Sequence, residues 1–370
     1  DWSSDVCSSD LRKVRIMVRK VFGRLSIFIQ TITVILLALI VGAIFIALAN
    51  ENPLECYGVL FRGALGSAAR FSEVLVKMVP LLVMALGVSV AFRAKLWNIG
   101  AEGQMIVGAI AATFVGLYLP LPPFMQMILA PIFGMIGGAA WAFIAGWLKV
   151  RFNANEVITT MMLNYVAVYL LAYMVYGPMQ EPGGYNYPQS SSLAESLQLS
   201  PLASGARVNS SVFVAIVLLI LVSIFWRSRM GYTVDLLGQG TKVVNYAGYN
   251  AKNMILRTMM ISGAFAGVVG WIEVYGIHFR LIEGIGSGYG DLAVVIALLG
   301  NLTPLGILFS SFVISVLLAG GATMQRMTTV PYSIVDIIQG LVIVLLITRP
   351  VVEKILVSRK EKRANVARNI

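Results

Sequence analysis

The chain has 370 residues, 58% hydrophobic and only 12% charged, with a mean hydropathy of +0.83. A soluble domain carries roughly 25% charged residues because its surface faces water, so most of this surface faces lipid and no room remains for a separate soluble domain. The net charge of +11 comes from basic residues gathered at both chain ends and between apolar runs; with no continuous basic face, binding to nucleic acid is excluded.

In chain order, residues 1–11, DWSSDVCSSDL, are polar and lack the apolar stretch of a signal peptide. They resemble the translation of a sequencing-library adapter, and the expectation is an assembly artefact, with a disordered polar tail as the alternative. They are set aside with Cys7. A basic cytoplasmic segment, 12–25, precedes a transmembrane domain over 26–348, and a second basic tail covers 349–370.

Apolar stretches long enough to cross a hydrocarbon core of roughly 30 Å as helix predict an all-α polytopic membrane protein with about ten transmembrane helices. The predicted spans are 26–49, 74–92, 100–120, 124–148, 157–177, 211–226, 257–276, 290–301, 304–321 and 332–348. The sixth is short. The eighth, with about a dozen residues, has to be tilted, buried or a half-helix.

Orientation follows from Lys and Arg, which are retained in cytoplasmic loops. Of the 28, 22 lie in 12–24, at Arg93 and Lys95, at Lys149 and Arg151, between Arg227 and Arg257, and in 349–370. Only Arg62, Arg70, Lys77, Arg207, Arg280 and Arg326 fall in the alternate segments. Both termini are therefore expected to be cytoplasmic. This topology puts Cys7 and Cys56 on opposite faces, and with His278 the only histidine no zinc site can be assembled.

Two connections exceed tight turns. The outer one, 178–210, contains SLAESLQL, where Leu193 and Leu197 share a helical face; it reads as a surface loop with one short interfacial helix, or as a docking surface or external gate. The inner one, 227–256, carries a short helical pattern with Val243, Val244 and Ala247 on one face, Lys242 and Asn245 on another, and Gly248 placed as a C-terminal cap. Such a helix lies on the membrane or inserts into a partner.

No GxxxxGK[ST] is present, so the chain has no phosphate-cradling loop of its own. Alternating glycines in EGIGSGYGD lack the spacing of a dinucleotide fingerprint and read as flexible backbone entering the eighth span. One histidine supports no catalytic triad. What remains is polar residues in or beside spans, which are costly in lipid and face a cavity or another helix. The first group is LWNIGAEGQ, with Trp97, Asn98, Glu102 and Gln104 beside Gly100 and Gly103. The second is NANEVITTMMLNY, where Asn155 and Glu156 suit a helix N-terminus and Asn164, followed by Tyr165, lies deeper. Glu273, His278, Glu283 and Asp291 form a third group, read as solvated charges, and Glu73 is expected to pair with Lys77 at i, i+4.

The segments LWNIGAEGQMIVGA (96–109), NANEVITTMMLNYVA (153–167), DLLGQGTKVVNYAGYN (235–250) and GYGDLAVVIALLGNLTPLGI (288–307) together resemble the permease subunits of bacterial binding-protein-dependent ABC importers. Within the branch of ribose, galactose and branched-chain amino-acid permeases, NIGAEGQ with NEVITTMMLN is most similar to nucleoside and simple-sugar permeases. The resemblance covers about 25–348.

It implies two permease subunits forming the pathway in the bacterial cytoplasmic (inner) membrane, each resting through a coupling helix on an ATPase subunit that binds the ATP, with an extracytoplasmic solute-binding lipoprotein delivering solute. No cofactor is implied for this chain. The coupling helix corresponds to 239–249, with Gln239, Lys242, Val243, Val244, Tyr246, Ala247, Gly248 and Tyr249 as its contact residues; DLLGQG departs from the family, which usually has a basic residue near the Leu-Gly pair. Asn98, Gln104 and Asn164 are expected to offer replaceable hydrogen bonds to the solute, with Trp97 or Tyr165 stacking on its ring and Glu102 beside them. The alternatives are branched-chain amino acids or autoinducer-like sugars as cargo, or an ion-coupled secondary transporter, for which Glu102 is the candidate ion-binding carboxylate.

Overall fold

A computed structural model describes residues 36–48, 50–183, 186–202, 207–328, 331, 333–338, 340–341 and 344–345. The adapter-like residues 1–11, the basic segment 12–25 and the basic tail 349–370 lie outside the described residues, as do the beginning of the first predicted span and parts of the last, whose described residues are helical. Among the described residues there is no β-strand, only three isolated bridges.

The helices are α1 (Leu36–Leu48), α2 (Pro53–Leu65), α3 (Ala68–Arg93), α4 (Ala101–Tyr118), α5 (Pro123–Phe152), α6 (Glu156–Tyr176), α7 (Ser211–Phe225), α8 (Arg229–Gln239), α9 (Thr241–Tyr246), α10 (Ala251–Ile272), α11 (Tyr289–Leu299) and α12 (Pro304–Met327). Among the described residues, six helices are long and apolar enough to cross a membrane: α3, α4, α5, α6, α12, and α10 continued by a π-helical turn, Glu273–His278. Counting each of the bent pairs α1 with α2 and α7 with α8 as one span raises this to eight. The protein is thus a helical multi-pass membrane protein.

The chain divides into two compact units, residues 1–58 with 324–370, and residues 59–323. In the first, the Tyr57 hydroxyl donates to Leu39 O at 2.6 Å and Gly42 lies against the Ile338 side chain. In the second, α10 is central and packs on α5, α4 and α3. Its approach to α4 and α5 is backbone to backbone: a Cβ on Gly267 would collide with Gly134 O, and one on Gly270 with Met105 O. Without side-chain spacers, the gain is dispersion contact between helices, which in lipid replaces the hydrophobic drive to associate.

Helix starts follow local chemistry. Side chains of Ser67, Asn155, Ser228 and Asn250 accept hydrogen bonds from the first-turn N–H groups of α3, α6, α8 and α10. Helix α2 is absent from the predicted spans because Glu55 and Arg62 interrupt its apolar run; it begins instead through Pro53 at its first position and the Asn52 side chain accepting from Leu54 N–H at 3.0 Å. The eighth predicted span is the short helix α11, entered through the glycine-rich segment.

Among the described residues of the connection 178–210, the one helical element is a 3-10 turn, Glu195–Leu197, where an interfacial helix was expected. Leu193 and Leu197 are both buried. Leu193 and Leu199 donate backbone N–H bonds to Phe279 O and Tyr275 O, so the loop is moored on the π-helical end of the α10 span.

Candidate functional site

The sequence LWNIGAEGQ forms a break between two spans. Helix α3 ends at Arg93, residues 94–100 are non-helical, and α4 starts at Ala101. Asn98 sits in this break, fully buried. Its amide nitrogen donates to Gln104 Oε1 at 3.0 Å and Ser262 Oγ at 2.9 Å; its oxygen accepts from Gln104 Nε2 at 2.8 Å and Gly100 N–H at 3.2 Å. Asn98 and Gln104 thus form a closed amide pair that ties the break to α10. Their groups are engaged with protein and do not open onto a free surface.

Asn164 joins the same break from α6. Its oxygen accepts from Gly103 N–H at 2.9 Å and its nitrogen donates to Ile99 O at 3.0 Å. The N-cap of α4 is Gly100, which has no side chain to satisfy first-turn donors; Asn164 does so from a neighbouring helix. Trp97 stands apart, half-exposed and tilted on Phe92 with ring centroids 4.9 Å apart. Tyr165, next to Asn164, points away from the chain, 61% exposed.

Glu102, in the first turn of α4, meets the glycine-rich segment. Its Oε1 accepts from Gly288 N–H at 3.3 Å, at the start of α11. Gly288 has φ 73° and Gly290 is so close that a Cβ would lie 2.9 Å from Glu102 N. The glycines expected to be flexible backbone therefore form a fixed seat for one carboxylate, which also favours the helix N-terminus electrostatically.

The candidate coupling segment is two helices. Helix α8 ends at Gln239, Gly240 turns the chain at φ 136°, α9 covers Thr241–Tyr246, and Ala247 and then Gly248 at φ 81° terminate it. Tyr246 is 97% exposed, and Gln239, Lys242, Ala247, Gly248 and Tyr249 are exposed as well. Of the apolar residues Val243, Val244 and Ala247, only Val244 is buried within the chain, which anchors this turn and a half of helix through one side chain. Arg93, the last residue of α3, holds α8. Its guanidinium donates to both carboxylate oxygens of Asp235 at 2.9 and 2.7 Å and lies 3.7 Å over the Trp226 ring. Gly238 is pressed against Arg93 O. Sequence reasoning passed over this clasp because its partners are 142 residues apart.

In the third polar group, read as solvated charges, Glu283 and Asp291 are exposed and His278 partly so, while Glu273 departs from the expectation. Glu273 is buried, not solvated, with Oε2 3.4 Å from His278 Nε2. Glu283 accepts from the Tyr176 hydroxyl at 3.1 Å, and Glu73 pairs with Arg207 at 3.4 Å, where Lys77 was the expected partner. A cavity of about 570 Å³ opens between the 195–209 loop and the π-helical turn, lined by Glu195, Gln198, Arg207, Asn209 and Phe279 among others. Among the described residues there is no cluster of side chains able to hold a metal ion.

Membrane-length helices, a polar break pinned by amides and a short exposed helix carried on α8, itself clasped to the end of a span, define a multi-pass membrane protein with a segment free to meet a partner. The chain belongs to the branched-chain amino acid transport system / permease component family, whose profile matches residues 70–347. It is 34% identical over 325 residues to the glucose ABC transporter permease protein TsgB13 of Haloferax volcanii, covering 85% of each chain. It is 30% identical to the guanosine ABC transporter permease protein NupP of Bacillus subtilis, over 92% of this chain and 99% of the relative. The nucleoside ABC transporter permease protein NupB of Lactococcus lactis is also 30% identical, over 90% and 94% of the two chains.

Proposed function

We propose that this chain is the permease subunit of an ABC importer for nucleosides or simple sugars, paired with a second permease subunit and gripped by a separate ATPase through α8 and α9. The observation that carries the reading is the exposed helix α9, carried on the largely buried α8, which Arg93–Asp235 fastens to the end of a spanning helix. A segment exposed in the chain but rigidly joined to a span is what a lever driven by another protein requires. The named cargoes of the three relatives, glucose, guanosine and nucleosides, support the substrate class. The chain itself is no enzyme in this scheme; ATP belongs to the partner.

In this reading the protein has about ten spans in the bacterial inner membrane, with both termini and α8–α9 cytoplasmic, as the distribution of Lys and Arg favours. The 178–210 loop then faces the solute-binding lipoprotein. Asn98, Gln104 and Asn164 hold the break between α3 and α4 in shape, while Tyr165 faces the pathway. Proteoliposomes holding the chain with the permease and ATPase encoded beside it should accumulate labelled guanosine or glucose, fed by the receptor, only when ATP is supplied. Accumulation by this chain alone would overturn the reading in favour of an ion-coupled transporter.

A further inference from the structure

Helix α6 carries a stripe that fits poorly against lipid. Ile158, Met162, Tyr165, Tyr169, Tyr173 and Tyr176 recur at spacings of four, three, four, four and three residues, all on one face. The four tyrosines are 61%, 75%, 64% and 54% exposed. Glu156, Thr160, Ala167, Leu171 and Val175, the residues of α6 buried in the chain, lie on the opposite side. The stripe therefore points directly away from its own protein.

Depth decides what it meets. At a rise of about 1.5 Å per residue, Tyr165 is about 14 Å and Tyr169 about 20 Å along a helix of about 31 Å. Both rings fall within a hydrocarbon core of roughly 30 Å, well away from the interfacial belts where tyrosine is favoured. A phenol hydroxyl held there against acyl chains has no hydrogen-bond partner, and burying it so is costly. Only Tyr176, at the end, has a protein acceptor, Glu283. Helix α7 supplies a comparison in the same chain. Its exposed residues, Phe213, Ile216, Val217, Ile220, Leu221 and Ile224, carry no polar side-chain atom, as a lipid-facing helix requires.

We propose that the tyrosine stripe of α6 is a wall of the solute pathway, facing water and the second permease subunit, and that Tyr165, Tyr169 and Tyr173 form a track on which a neutral solute with a flat ring stacks. Aromatic faces accept any base without fixing its identity, and the adjacent hydroxyls exchange hydrogen bonds with sugar hydroxyls and water. A track of repeated weak contacts lets solute move on, where one deep site would retain it. Asn164, one residue before Tyr165, anchors this helix to the α3–α4 break, so a shift at the break moves the track. The proposal rests on the importer reading.

Cysteine accessibility in the reconstituted complex tests it. In a background with Cys7→Ser and Cys56→Ser, Tyr165→Cys and Tyr169→Cys should react with a charged, membrane-impermeant methanethiosulfonate on the order of tenfold or more faster than Ile216→Cys and Ile220→Cys on α7, because reaction needs a hydrated thiolate. Equal inertness of all four would overturn the proposal. In the same vesicles, Tyr169→Ala should lower guanosine uptake roughly tenfold with ATP hydrolysis retained, while Tyr169→Phe, which keeps the stacking face, stays near the parent. Full uptake by the alanine variant would also overturn it. ATP-dependent uptake by the unsubstituted complex is scored separately, so a failure of the importer reading is distinguishable from a failure of the track.

Discussion

Substituting Asn98 separates a structural amide from a solute ligand. Asn98→Leu keeps the size of the side chain and deletes four hydrogen bonds, leaving both amide atoms of Gln104, the Ser262 hydroxyl and the Gly100 N–H without their partner. Orphaned buried groups cost about 1–3 kcal/mol each in soluble proteins, but side-chain bonds between membrane helices average nearer ~0.6 kcal/mol, because the unfolded chain in lipid also finds partners. The lower figure governs a membrane helix bundle, and four such bonds give about 2–3 kcal/mol. Adding Gln104→Leu removes the stranded amide itself, so the double variant should be no less stable than Asn98→Leu alone, a favourable coupling between the substitutions. Thermal unfolding of the detergent-solubilised complex, followed by loss of monodisperse protein, reads the difference. If Asn98→Leu melts with the parent while uptake collapses, the amide serves the solute and the structural account of the break is wrong.

The Arg93–Asp235 clasp is partly exposed, so Asp235→Ala should cost about 0.5–1 kcal/mol of stability and yet abolish most uptake while ATP hydrolysis continues; the exchanged pair Arg93→Asp with Asp235→Arg should recover part of the transport. Gly290→Ala should destabilise by about 1–3 kcal/mol, since its Cβ meets the Glu102 backbone. Gly286→Ala should cost less, because the atom in its way is the movable end of the Glu102 side chain; melting curves of the two variants rank them. Tyr246→Ala, at the most exposed position of α9, should leave stability within about 0.5 kcal/mol but weaken capture of the ATPase in pull-down; undiminished capture would remove α9 from the contact.

The helical class and most spans could be read because apolar length is a local property, and the described ends of α4, α5, α6, α7 and α11 lie within a few residues of the predicted ones. Helix α3 begins six residues earlier than predicted because Arg70 and Glu73 interrupt the apolar run in its first turn and a half. The site was legible in part. LWNIGAEGQ stands out as polar residues beside glycines at the start of a span, but residue type alone does not say whether a buried amide faces solute or another amide. The Asn98–Gln104 pair closes within seven residues of sequence, yet it is completed by Ser262, 164 positions away. The glycines of 284–290 gave a backbone signal without naming what approaches them, and Glu102 enters from 186 residues earlier.

Those distant contacts lie end to end. Asp235 on α8 holds Arg93 at the end of α3; the next turn of chain carries Asn98, locked to Gln104 on α4 and Ser262 on α10; Glu102, one turn into α4, seats the glycine segment that starts α11. Each link joins neighbouring elements through one or two directional side-chain bonds, a route by which a push on α8 would reach α11. Spatial succession alone is no demonstration of coupling, which needs a perturbation at one end read at the other. Spin labels at exposed positions of α4 and α11, Phe114 and Asp291, should report a nucleotide-dependent distance change in the parent complex and lose it in Asp235→Ala, with ATP still hydrolysed. An unchanged response in that variant would show that motion enters the bundle by another route, through α10 and its Asn250 cap, and the clasp would then serve only to hold α8 in place.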